Sequence, residues 1–249
     1  MENYEDIVLT EEETASALRE ARKYKHYQAK LKAYSEKVYS EPKQITMNEK
    51  DFFNFIYRKA VEKYPDFQVD EFNKDVIKKL CFYFTGNQEF EKMGDGYSLK
   101  KGILLFGNIG CGKTALMEVC RGNPMESFFM KNCKQIVELY EKSGIDEIEV
   151  FHSKNNSVRN PFGHTEYGYF FDDLGTERVP AVYFGNQLNV MDEILFLRHS
   201  KRIDLKRTHI TTNLIPDELS KLYGNRNVSR FKELFNTVIF PQDAPDRRK

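Results

Sequence analysis

The chain has 249 residues, enough for one α/β domain with an extension and for a substantial buried core. Lys plus Arg and Asp plus Glu balance at 38 each, so any contact with DNA has to come from a local patch rather than from net charge. The 4 cysteines, Cys81, Cys111, Cys120 and Cys133, form no C-x-x-C pair and stand near no histidine at metal spacing, which argues against a zinc site and against a disulfide scaffold.

The N-terminus is acidic without a long apolar core, and no run approaches the length of a membrane span. A reducing, cytoplasmic setting with no membrane partner is the default expectation. Thr10 followed by Glu11, Glu12 and Glu13 offers an N-cap with a capping-box acid, and few breakers occur before Tyr39. From Arg22 to Lys37 this helix is basic and interleaved with Tyr24, Tyr27 and Tyr34. It suits a partner or single-stranded nucleic acid, and the plain alternative is a solvated helix. Two amphipathic helices are predicted next, over about Asn48 to Lys63 and Val69 to Phe84, before turns at 85–87 and 93–96.

Lys101 to Thr114 reads KGILLFGNIGCGKT: a buried strand, then every required position of the phosphate-binding pattern G-x-x-x-x-G-K-[ST]. Glycines let the backbone turn its N–H groups onto a phosphate, and a helix begins with its positive dipole end toward the same anion. Gly107, Asn108, Ile109, Gly110, Cys111, Gly112, Lys113, Thr114 and Ala115 are therefore the candidate nucleotide-binding residues, for ATP with Mg²⁺. In this pattern Lys113 reaches the β- and γ-phosphates and the Thr114 hydroxyl holds the metal. Cys111 is unusual within the loop. It is either a small filler or a thiol activated by the surrounding N–H dipoles.

A helix over 115–121, a strand over 127–130 and a helix over 133–142 follow, then a polar stretch from Phe151 to His164 that reads as a surface loop. Tyr169 to Gly175, YFFDDLG, is a buried aromatic strand ending in two acids about sixty residues after Lys113. The spacing places one strand between the loop strand and the acidic strand. Asp172 is the candidate for the Mg²⁺-bound waters and Asp173 for polarising the attacking water, with Glu177 as a second candidate base. A helix is predicted over Gly185 to Arg202, and a β-branched strand from His209 ends on Asn213, beside the acidic strand, where an amide can orient water. Short helices over 215–223 and 225–235 carry Arg226 and Arg230, a last strand spans 237–240, and the tail Asp246-Arg247-Arg248-Lys249 is basic.

With these phrases in order, the chain from about Gly96 onward resembles the DnaC/IstB family of AAA+ ATPases, the replicative helicase loaders and transposition ATPases. KGILLFGNIGCGKT, FFDDLGTE, THITTNL and YGNRNVSRFKELFNTVIF carry the resemblance. It implies an α/β P-loop NTPase of the AAA+ type, a parallel five-stranded sheet flanked by helices, as an ATPase domain over 96–249; the helix patterns before it read as a helical N-terminal extension over 1–95, and no C-terminal lid is expected after the last strand. It implies that Asn213 is a sensor of the γ-phosphate, that Arg230 is an arginine finger acting in trans within a homo-oligomer, with Arg226 as a lesser candidate, and that Arg248 contacts nucleotide as a second sensor. The function implied is that of an ATP-hydrolysing helicase loader, with a replicative helicase bound by the N-terminal extension and single-stranded DNA as partner. The alternatives are an IstB-like ATPase that assists a transposase on double-stranded DNA, and a nucleotide-switched adaptor with negligible turnover.

Overall fold

The computed structural model describes residues 8, 10–39, 45–152, 168–200 and 207–248, with the side chains of 31–39 and 226 outside that description. The chain divides into two compact units, one holding residues 1–43 and the other nearly all of the rest. Of the predicted loop over Phe151 to His164, only Phe151 and His152 lie within the described residues.

The first unit is the helix α1 (Glu11–Tyr39). It opens with the expected capping box: Glu13 N–H donates to Thr10 Oγ1 at 3.2 Å, and Thr10 N–H donates to Glu13 Oε2 at 2.9 Å. Every described side chain from Glu11 to Lys30 is exposed, so no apolar stripe is covered within this unit.

The second unit is built on five parallel strands, β1 (Gly102–Phe106), β2 (Phe128–Asn132), β3 (Gly168–Asp172), β6 (Thr208–Thr212) and β7 (Phe235–Ile239), in the spatial order β2-β3-β6-β1-β7. This is a P-loop fold with the AAA+ strand order. The predicted intervening strand is present, but it is β6, which pairs with both β1 and β3. The strand between them in sequence, β2, lies at the sheet's outer edge.

Alternation along the strands splits the apolar side chains between two layers. Ile103, Leu105, Phe170 and Val238 face a cluster with α2 (Glu49–Lys63), α3 (Lys74–Phe84) and α4 (Lys113–Cys120). Leu104, Phe171, Ile210 and Phe235 face the other cluster, with α5 (Cys133–Ser143), α6 (Val190–Ser200), α7 (Pro216–Tyr223) and α8 (Asn225–Leu234).

Two expectations are corrected here. Residues 44–95 are not part of an extension, because Phe52, Ile56, Ala60, Val76, Ile77 and Leu80 of α2 and α3 are buried in the layer that covers one face of the sheet. The compact unit therefore begins at Gln44 rather than at 96. The helix expected from Gly185 begins instead at Val190, and an antiparallel hairpin precedes it, β4 (Ala181–Tyr183) with β5 (Asn186–Leu188). The turn there takes Phe184 and Gly185 at positive φ, which a helix cannot accommodate. Among the described residues no helix is long and apolar enough to cross a membrane.

A chain starting at Gln44 is expected to unfold in a single cooperative transition, whereas one starting at Gly96 exposes an uncovered sheet face and fails to fold. Phe52→Ala in the full chain should cost about 3–5 kcal/mol in urea unfolding. A cooperatively folded chain starting at Gly96 would contradict this packing.

Candidate active site at the carboxyl edge of the sheet

In parallel α/β sheets the carboxyl ends of the strands form the crevice in which ligands bind. Here the phosphate loop follows β1, Asp172 ends β3 with Asp173 next, Thr211 and Thr212 end β6 with Asn213 next, and the C-terminal tail leaves β7. Gly110 and Gly112 hold φ of 79° and 104°, the left-handed region that the loop's reversal into α4 requires.

The acids and hydroxyls form one network. Thr114 Oγ1 donates to Asp172 Oδ1 at 2.8 Å, and Thr211 Oγ1 donates to the same oxygen at 2.7 Å. Thr211 Oγ1 in turn accepts the Asp173 N–H at 2.9 Å, which holds Asp173 at a φ of 57°. Burial pushes the Asp172 carboxyl up from the ordinary aspartate range, against the downward pull of the Thr211 hydroxyl; neighbouring Asp173 raises it further, and Thr114 and Lys113 oppose this. Thr211 joins this network without having been singled out in the sequence: it sits two residues before Asn213, where a buried β-branched residue reads as ordinary core.

Lys113 is 6% exposed, and its ammonium donates to the carbonyls of Gly107 at 2.6 Å and Asn108 at 2.8 Å. Burial lowers its pKa; Cys111, Asp173 and Asp172 oppose the shift, and the Arg248 charge adds to it. Among the described residues no carboxylate pairs with it directly. A buried ammonium held by two carbonyls and, at 4.0 Å, the Cys111 sulfur, with no described carboxylate paired to it, suits a phosphate. The Thr114 hydroxyl and the Asp172 carboxylate, 2.8 Å apart, are hard oxygen donors of the kind Mg²⁺ takes.

The structure separates the remaining candidates. Glu177 is not a free base: its Oε2 accepts the Gly175 N–H at 2.8 Å and its Oε1 accepts the Tyr223 hydroxyl, so this buried carboxylate anchors α7 beneath the site. Asn213 follows the end of β6, one strand from Asp173. Arg230 donates to Asn227 Oδ1 at 2.9 Å, within α8, and its guanidinium stands 4.8 Å from the Phe196 ring centroid of α6. The backbone of Arg226 is in α8. Burial raises the Cys111 thiol pKa, with partial opposition from Lys113, and Cys111 is 1% exposed. It fills space under the loop; an activated thiol does not fit this environment.

No family model matches the sequence, and a search of curated proteins likewise finds no match. Among solved structures the chain is similar to AMPPCP-bound DnaA from Aquifex aeolicus, at 21% identity and a TM-score of 0.43 over 71% of this chain and 49% of that one. It is also similar to DnaI, at 18% identity and a TM-score of 0.47 over 74% of this chain and 94% of that one. The chain thus spans about half the length of that DnaA chain. Likenesses this distant carry no argument for activity or partner, and the fold rests on the strand order and the loop.

All 4 cysteines are free and buried, so none should react with a thiol reagent in the native protein at pH 8, and all should react after unfolding in denaturant. Fast native labelling of Cys111 would restore the activated-thiol reading.

Proposed function

We propose that this chain binds and hydrolyses ATP as a member of the DnaC/IstB-like AAA+ family, and that it acts as an oligomeric helicase loader on DNA. The observation that carries the ATP reading is the Thr114 hydroxyl bonded to Asp172 at 2.8 Å beside the buried Lys113 ammonium. It brings together in space two motifs that stand apart in the sequence.

In this reading the loop backbone from Gly107 to Ala115 and the Lys113 ammonium bind the phosphates. Thr114 and Asp172 would hold Mg²⁺, which when bound neutralises charge on the phosphate oxygens. Asp173, held in its left-handed turn by Thr211, polarises the attacking water, and Asn213 orients it. Arg230 acts on the neighbouring subunit's nucleotide, which accords with its contacts to Asn227 and Phe196, and Arg248 contacts nucleotide from the tail. Because a finger supplied in trans is worth orders of magnitude in rate, an isolated subunit turns over slowly.

The partner-binding element in this reading is the stretch 1–43, since residues 44–95 are occupied in the core. Its helix α1 exposes Arg22, Lys23, Lys25 and Lys30 with Tyr24 and Tyr27, a surface suited to a helicase's helices. Single-stranded DNA is the proposed nucleic-acid partner.

Lys113→Ala should weaken nucleotide binding by at least about tenfold, measured by titration with a fluorescent ATP analogue. Unchanged affinity would remove the site assignment. With DNA present, Asp173→Asn and Arg230→Ala should each lose about a hundredfold in turnover while still binding nucleotide, whereas Glu177→Gln should stay within a fewfold of the natural chain. Equal losses at Glu177 and Asp173 would show the base to be misassigned. Removal of residues 1–43 should preserve ATP binding and abolish capture of a hexameric replicative helicase; retained capture would place the partner surface elsewhere.

A further inference from the structure

The polypeptide that leaves β7 returns to the phosphate loop. Phe240 N–H donates to Phe106 O at 2.8 Å, Asn108 Nδ2 donates to Gln242 O at 2.6 Å, and Arg247 N–H donates to Gly110 O at 3.0 Å. All three glycines of the loop meet this tail. A Cβ on Gly107 would stand 2.8 Å from Phe240 Cβ, one on Gly110 would stand 1.8 Å from Asp246 Oδ1, and one on Gly112 would stand 3.7 Å from Arg247 Cδ. At Gly107 and Gly110 the missing side chain makes room for the tail, whereas the contact at Gly112 is an ordinary one and that glycine answers to its φ of 104°; the tail forms a second wall of the cradle.

Beyond the sheet, an ion pair ties this wall to the α2–α3 connector. Arg247 Nη2 donates to Asp70 Oδ2 at 2.6 Å, and each of the two side chains is about 30% exposed. Asp70 belongs to the connector between α2 and α3, and its two carboxylate oxygens divide their work. Oδ1 accepts the N–H groups of Phe72 at 2.9 Å and Asn73 at 3.1 Å, while Asn73 Oδ1 accepts the Asp70 N–H at 3.0 Å, so a reciprocal cap fixes the carboxylate before α3 begins. Oδ2 is left for the guanidinium. The acceptor for Arg247 is thus held in place by bonds that do not depend on the tail.

We infer that Asp70 is a positioning residue for the nucleotide site: by holding Arg247 it fixes the C-terminal tail on the phosphate loop. This rests on the reading of the loop as an ATP cradle. An Asp70 pair that breaks frees the tail from the connector and leaves it held at the loop by the Phe240, Gln242 and Arg247 backbone bonds alone. Asp70 and Arg247 stand 177 residues apart in the chain, so the pair also joins the layer made by α2 and α3 to the site.

The test uses the full-length chain with Asp70→Asn, Arg247→Gln and both together. Asparagine retains an oxygen for the cap at Phe72 and Asn73, so α3 keeps its start and only the ion pair is lost. Affinity for a fluorescent ATP analogue with Mg²⁺ should fall about fivefold in each single variant, the scale of one partly exposed ion pair, and no further in the double variant. The thermal midpoint should be unchanged, and trypsin should cleave after Arg247 faster in Asp70→Asn than in the natural chain. Single variants that bind as tightly as the natural chain, or losses that multiply in the double variant, would overturn the inference. If the natural chain itself fails to bind the analogue, the ATP reading falls instead, and the cleavage rate still decides whether Asp70 holds the tail: an unchanged rate rejects it.

Discussion

Asp172 Oδ1 accepts two hydroxyl hydrogen bonds, from Thr114 at 2.8 Å and from Thr211 at 2.7 Å, and the arrangement of the whole carboxyl edge follows from this pair. The carboxylate is only 4% exposed, and a charge taken that far out of water has to be met by donors. One donor opens α4 and the other ends β6, so the oxygen ties the phosphate loop, the acidic strand and the strand between them at one point. The same Thr211 hydroxyl accepts from the Asp173 N–H and so holds the left-handed turn that presents the second acid. Loss of either hydroxyl would leave a buried carboxylate short of a partner, at a cost of about 1–3 kcal/mol.

The strand order makes this junction possible. With β6 between β1 and β3, a side chain at the end of β6 lies within reach of both the loop and the acids. The two helical layers then fix the sheet from either face. Segment 44–95 closes one of these faces, and the connector within it carries the Asp70 that meets the tail. The site is accordingly walled by four parts of the chain that are distant in sequence: the loop, the acidic strand, the tip of β6 and the tail.

The loop and the acids were legible in the sequence because their chemistry is local. Gly110, Gly112, Lys113 and Thr114 act within one turn of backbone, and Asp172 and Asp173 end an unmistakable aromatic strand. The capping box at Thr10 and Glu13 was readable for the same reason. The boundary after 95 was not, since the spacing of Phe52, Ile56, Val76 and Leu80 announces an apolar face but not what covers it. The hairpin before α6 was missed because its strands are only 3 residues each, too short for alternation to register. Glu177 read as a candidate base from its place after the acids, and only its burial against Tyr223 and Gly175 reveals an anchor. No local pattern announces a pair such as Asp70 and Arg247.

On the proposed reading the loop is half of a site shared between subunits. That reading is tested most directly by mixing two impaired variants in the presence of DNA: Lys113→Ala, which keeps the proposed finger but binds nucleotide weakly, and Arg230→Ala, which keeps its loop but lacks the proposed finger. ATP turnover well above the sum of the separate variants is predicted, because Arg230 of the first reaches the intact loop of the second. A mixture no more active than its parts, or an Arg230→Ala protein with full activity alone, would contradict the account.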